Sequence, residues 1–203
     1  MQSFLDQVVS HLLALNPMDF DQLVVVLPSQ RAGLFLKNKL VTALTGEIRI
    51  LPEIISIETF ITELSGLEAM DNNEILLLFY EAYLEKCPES EQKDFENFMS
   101  WGQTLLQDFN EIDRYLVDHD AFFKYLYYIT DQKHWFLQEN KTHLIENYIQ
   151  FWERLQLYYN AFTEKLNHIG KGYQGLQYRK AAERIENYTK ETKKTFYLLV
   201  LMP

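Results

Sequence analysis

Apolar residues follow two different rhythms along this chain. Leu23-Val24-Val25-Val26-Leu27 is an unbroken, mostly β-branched run closed by Pro28, the mark of a strand buried on both faces. Immediately after it the rhythm changes. Ser29 is a helix-capping residue type, and Ala32, Phe35, Leu36, Leu40, Ala43 and Leu44 recur at helical spacing, which predicts a helix laying one face on a sheet. Strand, tight turn and helix open a βαβ unit, in which ligands sit at the carboxyl end of the strand. Here that end carries Ser29, Gln30 and Arg31.

The remaining pattern is mostly helical. Phe4, Leu5, Val8, Leu12 and Leu15 predict a first helix over residues 2–15, stopped by Asn16-Pro17. Ile48-Arg49-Ile50-Leu51 reads as a short second strand ahead of Pro52. Ile57, Phe60, Ile61 and Leu64 predict a helix that begins at Ser56 and ends at Ser65-Gly66. From Asp71 onward helices dominate. One is capped by Asp71 and carries Ile75, Leu78, Phe79 and Ala82; one runs from Phe95 to Leu116 with an apolar residue every three or four positions. A short aromatic helix is expected over residues 118–129. A long helix over 141–167 keeps Tyr148, Trp152, Leu155, Tyr159, Phe162 and Leu166 in phase. After a loop at Gly170 to Gly175 another helix spans about residues 176–190, and Thr195 to Leu201 is again a strand of buried type.

Strands near both ends and helices between them predict an α/β fold, predominantly helical: a small parallel sheet with a large all-helical insertion. The expected division is residues 1–68 with 191–203 for the α/β part and residues 69–190 for the helical part, the last strand returning beside the first. Ending at Met202-Pro203, directly after a core-type strand, the chain reads as a fragment of a longer protein.

Composition narrows this picture. Seven Gly and five Pro in 203 residues agree with a helical chain of few turns, and 13 Tyr with 14 Phe point to packing by large rings. The net charge of −10 argues against a non-specific nucleic-acid coat, though not against a local basic groove. Cys87 is the only cysteine, which rules out an internal disulfide and an all-cysteine metal site. With no leader-like start and no apolar run near membrane length, a soluble cytoplasmic protein without a membrane partner is expected.

Several features invite chemistry. Gly170-Lys171-Gly172-Tyr173-Gln174-Gly175 spells GxGxxG, but the dinucleotide fingerprint follows a strand, and here a helix precedes it. An interhelical loop using glycine for positive φ is the better reading. Asp108, Glu111, Asp113, Asp118 and Asp120, with His119 among them, weigh a metal site against a solvated acidic face, and the second is favoured because Phe109 and Ile112 account for the buried side. No histidine pairing, Ser or Cys arrangement supplies a nucleophile, and GxxxxGK[ST] is absent after the first strand. Lys165, Lys171, Arg179, Lys180, Arg184, Lys190, Lys193 and Lys194 form the one basic stretch; it is either a phosphate track or a helix face balanced by Glu183, Glu186 and Glu191.

LPSQRAGLFLKNKL, followed by LPEIISIETFITELSGL, resembles the start of AddB-like proteins of bacterial helicase–nucleases, above all the long PD-(D/E)XK nuclease-family proteins of Bacteroidetes type. Phe98-x-x-Trp101-Gly102-x-x-Leu105-Leu106-x-Asp108-Phe109-Asn110-Glu111-Ile112-Asp113 and Tyr173-Gln174-Gly175-Leu176-x-Tyr178-Arg179 extend the likeness over most of residues 4–190. The resemblance implies a first motor domain of superfamily 1 helicase (P-loop NTPase) type with a helical subdomain inserted. Its first strand and phosphate loop, which precede the first helix in related subunits, are missing here. It therefore implies an inactivated helicase scaffold in DNA repair or recombination, without catalytic residues, metal or cofactor. The nuclease domain would lie beyond residue 203. The TFYLLVLMP ending departs from the family pattern. Implied partners are DNA, the downstream domains of the same protein and a partner helicase–nuclease subunit. Gln30, Arg31, Lys171, Arg179 and Lys180 are the DNA-binding candidates; the alternative is a protein-interaction scaffold that makes no DNA contact.

Overall fold

Five consecutive apolar residues can all be buried only where a strand has neighbours on both edges and cover on both faces, and the strand Leu23–Leu27 (β1) occupies such a position. A computed structural model describes residues 3–15, 17–45, 50–135 and 143–199. In it β1 is the middle strand of a three-stranded, all-parallel sheet. Its neighbours are Glu53–Ser56 (β2) and Thr195–Leu198 (β5), with Val25 opposite Ile54 on one side and Tyr197 on the other. The remaining described elements are the helices Phe4–Ala14 (α1), Gln30–Ala43 (α2), Ile57–Ser65 (α3), Asn72–Lys86 (α4), Phe95–Arg114 (α5), His119–Trp135 (α6), His143–Ile169 (α7) and Gln174–Thr192 (α8), and the two-residue strands Glu68–Ala69 (β3) and Lys171–Gly172 (β4). The chain is predominantly helical with a small parallel sheet.

The chain divides into two compact units: residues 1–64 with 183–203, and residues 65–182. In the first, Val8, Val9 and Leu12 of α1 and Leu36 and Leu40 of α2 join β1 in one core. The turn from β1 into α2 takes only Pro28 and Ser29, and the Ser29 hydroxyl accepts a hydrogen bond from the Ala32 amide. Phe60, Tyr188 and Phe196 pack ring on ring at centroid distances of 5.4–6.3 Å.

Three expectations are corrected here. The second strand lies after Pro52 rather than before it: Ile50 is exposed, and Ile54 and Ile55 pair with Val25 and Val26. Ile48 and Arg49 fall outside the described residues. Phe35 and Ala43 are not on the core face of α2; Gly33, Leu36 and Leu40 are, so the helix is rotated from the expected orientation. Thr195–Leu198, expected to be fully buried, is an edge strand with Leu198 exposed.

The second unit is organised around Phe79 of α4. Its ring meets Phe98 and Phe109 of α5 at 5.2 and 5.5 Å and Phe162 of α7 at 5.0 Å, edge-on or tilted as aromatic quadrupoles favour. The long stripe on α5 is buried at Phe98, Leu105, Phe109 and Ile112 as its spacing predicts, while Leu116 lies past the helix end, exposed at φ +53°. On α7, Leu155, Tyr159, Phe162 and Leu166 are buried; the Tyr148 and Trp152 side chains lie outside the described part. Helix α4 ends at the buried Cys87, where the Gln92 amide donates to the carbonyls of Leu84 and Cys87 at 2.8 and 2.9 Å.

Helix α1 begins with a capping box in which Ser3 and Asp6 satisfy each other's backbone amides. Lys39 of α2 donates to the same Asp6 carboxylate at 2.5 Å. The hydrogen bond from Lys39, and then those from Ser3, hold the Asp6 carboxyl down at about 2. Because the folded value lies below the unfolded one, this contact contributes stability above about pH 4 and loses it as pH falls through about 2. An NMR titration of the Asp6 carboxyl carbon is expected to give a midpoint near 2, and Lys39→Met to return it most of the way to the ordinary range. An unchanged midpoint in that variant would remove Lys39 as the cause.

Candidate nucleic-acid interface

Gln30 and Arg31 form the first residues of α2, immediately past the carboxyl end of β1, and both side chains are exposed. Ser29 holds the turn, so the two side chains leave a fixed backbone rather than a loose loop. Nothing glycine-rich lies between strand and helix, and the turn offers no phosphate cradle.

The other candidates belong to the second unit. Lys171 in β4 sits 3.5 Å from Glu74 and stays partly exposed. Lys180 is half-buried on α8 and has a partner of its own. Arg179 is corrected outright: it is not a surface cation. Its side chain is only 12% exposed. Its Nε donates to Asp113 Oδ1 at 2.6 Å, and its terminal nitrogen Nη2 donates to the carbonyls of Ile112 and Val117 at 3.0 and 2.6 Å. The guanidinium thus sits at the carboxyl end of α5, where the negative end of the helix dipole favours a cation.

Asp113 is the centre of this arrangement and is fully buried. Besides Arg179 it accepts from the Tyr159 hydroxyl at 2.5 Å and from the Tyr173 hydroxyl. Three helices therefore meet on one carboxylate: its own α5, α7 through Tyr159, and α8 through Arg179, with Tyr173 just ahead of α8 joining them. Burial first, then the neighbouring Asp113 charge, push the Tyr173 phenol well above its usual range, so it remains a hydrogen-bond donor. The expected solvated acidic face holds for the exposed Asp108 and Glu111 but not for Asp113. Asp118 is spent on capping α6 through the Ala121 amide, and Asp120 accepts from Gln156 at 2.5 Å. Among the described residues, no three His, Cys, Asp or Glu side chains are grouped to hold a metal ion.

The GxGxxG stretch also resolves into packing. Gly170 takes φ +68° at the end of α7 with open space beside it. Gly172 pairs in β4 with Ala69, a small sheet that the loop reading missed. Gly175, at the start of α8, lies so close to α5 that an added Cβ would sit 2.2 Å from the Asn110 carbonyl oxygen. The Gly175 amide also donates to Asn110 Oδ1 at 2.8 Å. Asn110, Tyr159 and Tyr173 were not singled out as partners by the pattern. The available signal was Asp113 itself, a carboxylate directly beside Ile112 and one helical turn from Phe109 on a buried stripe.

Most of the basic stretch is neutralised. Lys165 meets Glu85 at 2.5 Å, Lys194 meets Glu53 at 2.7 Å, and Lys190 lies 4.0 Å from Glu186. Among the described residues no helix is long and apolar enough to cross a membrane. No protein-family model matches the chain, and no curated protein matches it.

Proposed function

We propose that this chain is a non-catalytic, helicase-like module of a DNA repair or recombination protein of helicase–nuclease type, which docks neighbouring domains and touches DNA through Gln30 and Arg31. What supports the reading is the coincidence of two features. The Pro28-to-Phe35 segment on which the family resemblance rests lies at the carboxyl end of the central strand of a parallel sheet, where βαβ folds hold ligands. Arg31 is exposed there, and Arg is the side chain best shaped for bidentate phosphate contact. No cofactor, metal or catalytic residue is assigned.

A second reading, a protein-interaction scaffold with no DNA contact, is favoured by the pairing of Lys165, Lys171, Arg179 and Lys194 with carboxylates and by the net charge of −10. Fluorescence anisotropy with labelled single- and double-stranded DNA across a salt series separates the two. Salt-dependent binding is expected, with Arg31→Ala lowering affinity several-fold and reducing the slope of log K against log salt by about one. Absence of binding at low salt, or an Arg31→Ala slope equal to that of the parent chain, leaves only the scaffold reading.

A further inference from the structure

The outer face of α2 reverses the usual sorting of a surface helix. Leu34, Phe35 and Val41 are 60, 55 and 55% exposed, on the side opposite the buried Gly33, Leu36 and Leu40. Leu34 and Val41 are two turns apart, about 10 Å along the axis, and share one stripe. Phe35 stands at the rim of a groove of about 510 Å³ between α1 and α2, whose walls include Val9, Leu13 and Thr42. Single exposed apolar residues need no explanation; an exposed Leu34–Val41 stripe, with Phe35 about a third of a turn round the helix at the groove, does.

The charge on the same helix identifies what would cover it. Residues 30–43 contain Arg31, Lys37 and Lys39 and no carboxylate, within a chain whose net charge is −10. Lys39 is engaged by Asp6, but Arg31 and Lys37 are exposed at the margins of the apolar stripe. A second copy of this face would bring like charges together. Nucleic acid would gain nothing from Leu34 and Val41. A helix with apolar residues two turns apart and carboxylates flanking them satisfies both the stripe and the cations.

We propose that the outer face of α2, with the adjoining α1–α2 groove, is a docking site for an acidic amphipathic helix of a partner protein. This deepens the docking half of the function given above; Arg31 is shared with its DNA half, so the test rests on Leu34, Val41 and Lys37. The probes are two fluorescein-labelled synthetic helical peptides of about five turns, with leucines at identical i, i+4, i+7 and i+11 positions. One carries Glu at the flanking positions and the other Lys. Anisotropy with the full chain is expected to show the Glu peptide bound roughly tenfold more tightly than the Lys peptide, a preference that added salt reduces. Leu34→Ser/Val41→Ser should abolish this binding while DNA affinity stays as in the parent chain. Lys37→Glu should erase the preference for the Glu peptide. Both double and single variants change exposed positions, and circular dichroism checks that the helices persist. Equal affinity for the two peptides, or binding unaltered in Leu34→Ser/Val41→Ser, overturns the proposal. So does a concentration-dependent dimer in sedimentation that the same double variant dissolves, since the face would then be covered by a second copy. Loss of DNA binding in Arg31→Ala with no peptide binding in the parent chain would sink this site alone.

Discussion

Asp113→Ala is expected to destabilise the helical unit by about 3–5 kcal/mol, the range for removing one partner of a buried ion pair. The carboxylate is fully buried and accepts from Arg179, Tyr159 and Tyr173. Alanine leaves a nearly buried guanidinium without its counter-charge and two phenols without an acceptor. Domain stabilities total only about 5–15 kcal/mol, so a loss of this size brings the unit close to its unfolding midpoint. Urea denaturation followed by circular dichroism measures it. Arg179→Met should cost a comparable amount, because it strands the carboxylate instead. The pair Asp113→Leu/Arg179→Met should cost clearly less than the two single changes added together, since neither charge is then left alone. A loss below about 1 kcal/mol for Asp113→Ala would mean that the centre is open to water in solution.

Gly175→Ala is the second large effect, and its origin is steric. The new Cβ would meet a backbone carbonyl oxygen of α5 at 2.2 Å, with the Asn110 side-chain oxygen at 3.0 Å. Backbone cannot step aside as a long side chain can. Relief requires α8 to move off α5, which also stretches the Gly175–Asn110 hydrogen bond and the Arg179 and Tyr173 contacts just beyond it. We expect a loss of about 3 kcal/mol or more, at the upper end of overpacking costs. Gly170→Ala is the internal control: it has open space around it, and only the left-handed backbone opposes a side chain, so about 1–2 kcal/mol is expected. Thermal melts of the two variants rank them. A Gly175→Ala protein as stable as Gly170→Ala would show that the two helices do not approach as closely as described.

The sequence was legible where one local rule decides the outcome. A short apolar run rich in β-branched residues and closed by proline, as at Leu23–Leu27, reads as a strand covered on both sides, and it is one. Capping chemistry placed the starts of α2 at Ser29 and α4 at Asp71. Long periodic stripes gave α5 and α7, because several turns of the same face average out single misleading residues. Errors came where two short readings compete. Ile48-Arg49-Ile50-Leu51 and Glu53-Ile54-Ile55-Ser56 flank the same proline and are equally short; what selects the second is pairing with β1 in register, with Glu53 tied to Lys194, a long-range choice that no window contains. In α2 the exposed Phe35 looked like core because hydrophobicity was its only local clue. The site divides in the same way. Gln30 and Arg31 are where the strand-end rule puts them, whereas Arg179 is recognisable as an internal cation only once a buried carboxylate from a distant helix is brought beside it.

Cys87 closes α4 from a buried position and is the chain's single sulfhydryl. A disulfide reagent can attack it only in moments when that end of the helix swings out, so the native protein carries its own clock for breathing motions of the helical unit. No label has to be introduced, and the rate of derivatisation, followed against denaturant, reads that opening directly.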